Sequence, residues 1–339
     1  MRSNIRILSN GNPEVFARSL EAMDTIAVDC CIPADPKVQP GRFQTTLAAP
    51  FSVSGPATYS KGQKSTLHFA PCAKEGWWLH RSDLPEQFPI RVSPQNVWTA
   101  RRSIVLRCGS PDNYVRMTEH IIAHRLGLGV DNAEIALGTG DPPLFDVGSM
   151  PIVEAIENAG VVEDVSRPLR YWTVKEPVAI LNQWDGFLLF KPAENGDRRL
   201  YFDVCIDFPS AIGKQRIQFC LNNENFRHGA QARTNCSFGI MVYTKTVGKL
   251  FADTRNLGYN WKNILVAGKK RYLNTPSLLH QGKSLEAVWH RACLDLIAAL
   301  SMLENGRLAG HITSYKAGHA LDARLMSNLY IHKLLEEVR

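Results

Sequence analysis

The stretch EAVWHRACLDLIAALSMLENGRLAGHITSYKAGHAL, which runs from Glu286 to Leu321, decides the fold of this chain. Apolar residues recur at helical spacing from Ala287 to Leu303, and the Asn305-Gly306 pair predicts the turn that ends this helix. An alternating run from Leu308 to Tyr315 predicts a strand, and a further helical pattern begins at Ala317. These elements carry side chains of the metal-binding or acid/base type, namely His290, Cys293, Asp295 and His319. Their convergence predicts a functional site.

A second stretch, from Thr118 to Leu137, follows the same plan of a helix that opens on a His, a turn that contains Gly, and a short apolar strand. Two stretches with one plan indicate an internal duplication. We therefore predict an α+β fold of two similar two-layer α/β sandwich domains, each with a sheet covered on one face by helices. In this arrangement Glu119 and His120 meet His290 and His319 in the cleft between the domains.

Composition shifts along the chain predict its domain organisation. The extension at the N-terminus combines a short amphipathic helix at Pro13 to Met23 with a proline-containing connector, and the polar stretch Gly160 to Pro168 marks the boundary between the domains. Residues 235–284, rich in Gly, Asn and Lys, are predicted to be a functional insert, because long loops are uncommon inside compact domains. The predicted segments are the extension 1–42, the first domain 43–165 and the second domain 166–339.

Composition also narrows the class of protein. The 45% hydrophobic and 21% charged content is typical of a globular protein, and no apolar run approaches the roughly 20 residues that span a bilayer. Without a signal-peptide pattern at its N-terminus, the chain is expected to be cytoplasmic. Its eight cysteines include no C-x-x-C pair, which favours reduced, mostly buried thiols. The net charge of +7 suits a diphosphate-bearing sugar nucleotide or an anionic membrane surface, whereas no nucleic-acid-binding motif is present.

A series of short motifs runs along the chain: Thr118-Glu119-His120, Gly129-Val130-Asp131-Asn132-Ala133, Ala232-Arg233-Thr234, Val288-Trp289-His290, Leu294-Asp295-Leu296 and Lys316-Ala317-Gly318-His319-Ala320-Leu321. In this order and spacing they resemble the zinc-dependent UDP-3-O-acyl-N-acetylglucosamine deacetylases of the lipid A pathway. The resemblance covers roughly Gln44 to Arg339. It implies a metal-dependent amidohydrolase that removes the N-acetyl group from an acylated UDP-N-acetylglucosamine-type substrate.

The resemblance also implies the metal and its ligands. A Zn²⁺ ion with three protein ligands and one open position lowers the pKa of bound water and polarises a carbonyl group. His120 and His290 match two of the family's ligands, and Asp295 matches the third. His124 makes an i,i+4 pair with His120, but the family does not use that position, so a packed His124 is favoured.

Three further positions match the family's catalytic residues. Glu119 stands at the position of the general base that takes a proton from the attacking water. His319, as an imidazolium, stabilises the oxyanion or protonates the leaving amine. Thr234 offers a hydroxyl group to the same oxyanion, although a Thr at this place can also simply cap a turn.

Substrate contacts are implied at three more residues. Arg291 stands where the family usually has Lys and keeps the positive charge for the substrate phosphate. Lys316 is a second phosphate contact, with a solvated surface charge as the alternative. Phe238 is the nearest aromatic residue to the one that follows the family's Thr, and the insert that contains it matches a region that forms a tunnel for the acyl chain.

One departure from the family concerns the third ligand. The ligand Asp follows the ligand His by four positions in the family, but by five between His290 and Asp295. In a regular α-helix these two side chains point about 140° apart, so we predict a π-bulge that brings them together and turns Cys293 away. The alternative is that Cys293, three residues after His290, supplies a thiolate ligand instead.

Two other departures affect the surroundings of the site. Ala299 replaces an Asp that in the family partners the catalytic His, so the pKa of His319 is expected to be lower than in the family. Tyr59 stands where an early loop of the family has His.

Two function classes follow. The first is the zinc-dependent deacetylase, acting on an acylated UDP-amino sugar, in transient contact with the inner-membrane surface and without an obligate protein partner. The second is a catalytically weakened homologue that binds a lipid precursor or a protein. A metal site with an open coordination position distinguishes the first class from the second.

Overall fold

The structure, a computed structural model, describes residues 5–60, 62–86, 88–246 and 258–338. It confirms the predicted α+β class, with several β-sheets and helices packed against them. The α-helices are α1 (Pro13–Asp24), α2 (Glu119–Gly127), α3 (Met150–Ala159), α4 (Asn223–Ala230), α5 (Phe238–Lys245), α6 (Glu286–His290), α7 (Ile297–Leu300) and α8 (His319–Ile331). A π-helical segment, Arg291–Leu296, joins α6 to α7, and a short 3-10 helix spans Pro94–Asn96.

The strands fall into three groups along the chain. The N-terminal extension contributes β1 (Arg6–Ile7) and β2 (Cys30–Ile32). The first unit contains β3 (Phe43–Leu47), β4 (Phe51–Pro56), β5 (Lys64–Pro71), β6 (Trp77–Arg81), β7 (Ile90–Arg91), β8 (Val97–Thr99), β9 (Val105–Arg107), β10 (Tyr114–Val115), β11 (Ala133–Leu137) and β12 (Val161–Pro168). The second unit contains β13 (Tyr171–Val174), β14 (Val178–Leu181), β15 (Phe187–Lys191), β16 (Leu200–Phe208), β17 (Gly213–Cys220), β18 (Thr234–Ser237), β19 (Ile264–Ala267), β20 (Leu279–His280), β21 (Lys283–Ser284), β22 (Arg307–Leu308), β23 (Gly310–Tyr315) and β24 (Leu335–Glu337).

The main sheet of the first unit is centred on β11, in the order β4-β5-β11-β6-β7. β11 runs antiparallel to β5 and parallel to β6, with Ile135 opposite Phe69 and Leu79. Alternate residues of a strand face opposite sides, and all three of these side chains lie in the core. Ile121 and Ile122 of α2 belong to the same core cluster, so α2 covers the inner face of this sheet.

The main sheet of the second unit has seven strands in the order β1-β14-β15-β23-β16-β17-β2. Its central strand β23 is antiparallel to β15 and parallel to β16, with Ile312 opposite Phe190 and Phe202. Each unit therefore has a central strand with one antiparallel and one parallel neighbour, as the predicted internal duplication requires. β23 ends at Tyr315, and three residues separate it from the start of α8.

Helices from both units share one core with the inner faces of the two sheets. Phe226 of α4, Trp289 of α6 and Ile297 of α7 are buried in the same cluster as Ile121 of α2. The α2 helix begins, and the α6 helix ends, at the residues predicted to form the site. Packing of the helices thus places the N-terminal end of α2 beside the C-terminal end of α6.

The N-terminal extension packs against the second unit. β1 pairs with β14 at one edge of the seven-stranded sheet, and β2 pairs with β17 at the other edge. The helix predicted at Pro13 to Met23 is confirmed as α1, which is capped by the Asn12 side chain. Phe16 and Met23 of α1 cover the outer face of the sheet, where Phe16 meets Phe187 edge to face. The extension therefore closes both edges and the outer face.

Two stretches differ from the sequence expectation or extend it. The residues proposed as a boundary, Gly160 to Pro168, are largely strand β12, which pairs with β3. The domain bounds 1–42, 43–165 and 166–339 stay a prediction. The insert at 235–284 holds α5, most of β18 and the strands β19, β20 and β21, and its residues 247–257 lie outside the described part. Across the described ranges, every helix is too short or too polar to cross a membrane.

Candidate active site

Side chains from both units meet where α2 begins and α6 ends. The rings of His120 and His290 lie 5.4 Å apart, and the Thr234 hydroxyl is 3.4 Å and 3.0 Å from their respective Nε2 atoms. His319 Nε2 is 3.7 Å from Asp295 Oδ1 and 4.0 Å from Glu119 Oε1. The structure thus brings together the predicted ligand and catalytic residues in one cluster, which includes parts of both units.

The π-helical segment explains how Asp295 reaches this cluster. Ile297 N–H donates to the Ala292 carbonyl five residues earlier, which is the hydrogen bond of a π-helix. This wider turn brings Asp295 Oδ1 to 3.4 Å from His290 Nδ1. The predicted π-bulge is confirmed.

Cys293 points away from the cluster. It is fully buried, and a Cβ atom added at Gly229 of α4 would overlap its sulfur. Burial raises the pKa of the Cys293 thiol, which disfavours the thiolate that a metal would need. This geometry favours Asp295 over Cys293, although the identity of the third ligand stays a prediction.

Glu119 is held in place from two sides. It lies in the first turn of α2, where a carboxylate is favoured by the helix dipole, and its Oε2 accepts a hydrogen bond from Ile104 N–H at 2.9 Å. The preceding Thr118 hydroxyl donates to the Ile104 carbonyl. Burial raises the pKa of Glu119, although the nearby His319 opposes this rise. A buried carboxylate with a raised pKa is well suited to accept a proton.

His319 and Asp295 form the charged part of the cluster. Burial alone would lower the pKa of His319, but Asp295 and Glu119 outweigh it, so the pKa is raised. Burial would likewise raise the pKa of Asp295, but His319 and His290 outweigh it, so the pKa is lowered. Each group therefore favours the ionised form of the other.

The second ring nitrogen of His319, Nδ1, is buried and lacks a hydrogen-bond partner among the described residues. Ala299, the position at which the resemblance implies a carboxylate in the family, is also buried. Whether the pKa of His319 is lower than in relatives stays a prediction, because Asp295 and Glu119 raise it here by themselves.

The side chains in this cluster are of the types that bind a zinc ion. Burial and the neighbouring His290 lower the pKa of His120 to about 3, so that its imidazole is the neutral form that binds metals. Among the described residues, the buried Asp295 Oδ1 finds no hydrogen-bond partner, so this oxygen is available to another ligand. As they stand, however, no three His, Cys, Asp or Glu side chains in the described ranges are close enough to share one ion. Two imidazoles and a carboxylate are nevertheless a donor set that zinc takes.

Arg291 is buried and paired with an acidic side chain. Its guanidinium is buried and forms two hydrogen bonds to the Asp322 carboxylate and one to the Ser314 hydroxyl. Arg291 therefore forms an internal ion pair in this structure. Its expected contact with the substrate phosphate stays a prediction. The acidic partner was missed in the sequence, although Asp322 follows His319 by three residues on the same helix face.

Lys316 and Phe238 lie at the surface. Lys316 Nζ is 3.2 Å from Asp207 Oδ2, and this ion pair is only partly covered. Phe238 opens α5 and is half exposed, and it lines an apolar cavity of about 320 Å³ with Met241, Tyr259 and Trp261. Both residues remain accessible to a ligand.

The remaining polar residues singled out by sequence are internal. His124 Nδ1 is 2.9 Å from the Ile121 carbonyl, and its ring packs edge to face on Phe226, so His124 is a packed residue as favoured. The Tyr59 ring lies under the Arg116 guanidinium at 4.0 Å. Burial raises the pKa of Tyr59, which keeps the phenol protonated.

This fold and site define a class, the α+β proteins in which largely buried acid, base and candidate metal-binding side chains from two units meet in one cluster. Residues 44–331 match the family model described as LpxC, UDP-3-O-acyl N-acetylglycosamine deacetylase. The chain belongs to this deacetylase family.

Individual relatives agree with the family match. The chain is 28% identical to a UDP-3-O-acyl-N-acetylglucosamine deacetylase of Syntrophus aciditrophicus, over 85% of this chain and 86% of the relative. Enzymes with the same name from Bdellovibrio bacteriovorus and Citrifermentans bemidjiense are each 30% identical over 85% of this chain, covering 90% and 88% of the relatives. The resemblance inferred from the motifs is therefore confirmed.

Proposed function

We propose that this protein hydrolyses the N-acetyl amide of a UDP-3-O-acyl-N-acetylglucosamine substrate in lipid A biosynthesis. The observation that carries the proposal is the single cluster formed by Glu119, His319 and Thr234 with three candidate metal ligands. The alternative, a non-catalytic binder, is not favoured, because a binder has no need for a buried base, Glu119, and a largely buried acid, His319, only 4.0 Å apart.

His120, His290 and Asp295 would hold a zinc ion. When bound, the ion supplies a water of lowered pKa and a Lewis acid for the amide carbonyl. The proposal is supported by the neutral His120 and by the π-helical segment that brings Asp295 beside His290. It is also supported by Asp295 Oδ1, which has no hydrogen-bond partner in the part of the chain that the structure describes.

Glu119 and His319 divide the proton transfers. Glu119 accepts the proton of the attacking water, and the hydrogen bond from Ile104 N–H holds its carboxylate in place meanwhile. The water oxygen bonds to the carbonyl carbon, the C–N bond then breaks, and the amine nitrogen takes a proton from His319. Acetate and the free amine are the products, and Glu119 returns its proton to His319 or to solvent.

Thr234 and the substrate-facing residues orient the reaction. The Thr234 hydroxyl, already beside both His Nε2 atoms, would donate a hydrogen bond to the oxyanion. The apolar cavity beside Phe238 would take part of the acyl chain, and Lys316 would contact the diphosphate. A sugar-nucleotide substrate implies a cytoplasmic enzyme, with transient contact at the inner-membrane surface.

The direct test uses the full chain and UDP-3-O-acyl-N-acetylglucosamine. We expect stoichiometric release of acetate and free amine, about one zinc per chain by metal analysis, and loss of turnover after treatment with a chelator. A metal-loaded, folded chain that binds the substrate but releases no acetate would support the binder instead.

A further inference from the structure

A buried ion pair lies directly behind the proposed active site. Arg291 Nη1 donates to Asp322 Oδ2 at 2.8 Å, and Nη2 donates to Asp322 Oδ1 at 2.6 Å. Arg291 Nη2 also lies 3.2 Å from the hydroxyl of Ser314 on β23. The two charged side chains are only 6% and 0% exposed. The pair therefore joins three elements in a region without access to solvent.

The positions of the two residues relate the pair to the site. Arg291 follows His290 directly and begins the π-helical segment that carries Asp295. Asp322 lies in the first turn of α8, three residues after His319. The two parallel hydrogen bonds of an Arg–carboxylate pair fix both distance and angle. They consequently fix the first turn of α8 relative to the π-helical segment.

His319 has little else to orient it. Its Nδ1 makes no hydrogen bond to the described residues, and its Nε2 is farther than hydrogen-bond distance from Asp295 and Glu119. The residue before it, Gly318, caps α8 without a side chain. The location of the imidazole thus depends on where α8 itself is held.

We infer that Arg291 and Asp322 are positioning residues, whose ion pair sets the location of His319 relative to His290 and Asp295. The inference rests on the proposed function. Stability alone is a weak reason for such a pair, since buried ion pairs can often be replaced by apolar residues of similar volume without loss of stability. A positional requirement explains why both charges are present in this site.

The first test compares Asp322→Asn and Arg291→Lys with a control pair. Asp322→Asn removes the charge, and Arg291→Lys removes the two parallel hydrogen bonds. We expect kcat to fall by up to about 10²-fold in both, with KM within about twofold and zinc content unchanged, because small misplacements of catalytic groups cost rate. The control is Asp203→Asn, which breaks the Arg216–Asp203 pair of the same kind on the outer side of the sheet. It should lower the melting temperature without changing kcat.

The second test separates position from folding. The double variant Arg291→Met/Asp322→Leu removes both charges together, so it should recover the melting temperature that a single variant loses. We expect its kcat to stay low. Recovery of kcat together with the melting temperature would overturn the inference, as would a folded Asp322→Asn with the parent kcat, or a rise in KM alone. A parent chain without turnover would contradict the proposed function, whereas an active parent with an active Asp322→Asn contradicts only this inference.

Discussion

Asp295 Oδ1 lies 3.4 Å from His290 Nδ1, although the two residues are five positions apart on one continuous helical segment. The contact exists because residues Arg291–Leu296 are π-helical. The extra residue is therefore absorbed within the helix, so the carboxylate still faces the imidazoles. Thus the change from the family spacing need not cost the site its acidic ligand.

Substitutions at Asp295 and Cys293 should separate the two candidates for the third ligand. Asp295→Asn is expected to lower zinc affinity at least 10-fold, because it removes a charged donor. Cys293→Ala should keep zinc affinity within about twofold, because the thiol packs against α4, and should cost about 1 kcal/mol of stability. Competition with a metal chelator measures both. Loss of zinc from the Cys293 variant alone would make the thiolate the ligand.

Glu119→Gln should leave zinc content unchanged and lower kcat by about 10² to 10⁴, the usual contribution of one positioned acid or base. The amide keeps the shape of the side chain, so folding should be little affected. Glu163→Gln, at an exposed position on β12, is the matched control and should retain the parent rate. An active Glu119→Gln variant would reduce Glu119 to a carboxylate at the start of α2.

The plot of kcat/KM against pH should be bell-shaped, and both of its limbs should lie at higher pH than the ordinary pKa values of a Glu and a His would give. Glu119 must be ionised to accept a proton, and its pKa is raised above 4.5. As the pH is lowered, activity should therefore fall at a pH above 4.5. His319 must be protonated to donate a proton, and its pKa is raised above 6.5. As the pH is raised, activity should therefore fall at a pH above 6.5. In His319→Gln, the basic limb should disappear from the profile. A basic limb that persists at the same pH would assign it to another group.

Phe16→Ala should destabilise the protein by about 3 kcal/mol, the usual effect of truncating a buried Phe. The ring packs edge to face on Phe187 on the outer face of the sheet, so the rate per folded molecule should not change. Urea unfolding measures the loss. Phe88→Ala, at a half-exposed Phe, is the control and should cost much less.

The fold class could be predicted from local patterns, whereas the residues of the cluster were predicted from the series of motifs that resembles the family. Helical spacing and alternation are visible within ten residues, and the five-residue step from His290 to Asp295 required a π-helical turn. The partner of Arg291 could not be predicted in this way. The sequence shows that Arg291 is charged but not which residue it contacts, and Asp322 is 31 residues away. Strands of two or three residues such as β1 and β2 are too short to show any period.

The placement of β1 and β2 has a consequence for how this protein can be handled. The family match begins at residue 44, so a fragment cut at that point would keep every proposed catalytic residue. It would also leave β14 and β17 as open edges and uncover the apolar surface around Phe187. Unpaired edges invite strands from other molecules. Such a fragment should therefore self-associate. The chain should stay monodisperse only when the N-terminal extension, which precedes the region shared with relatives, is kept.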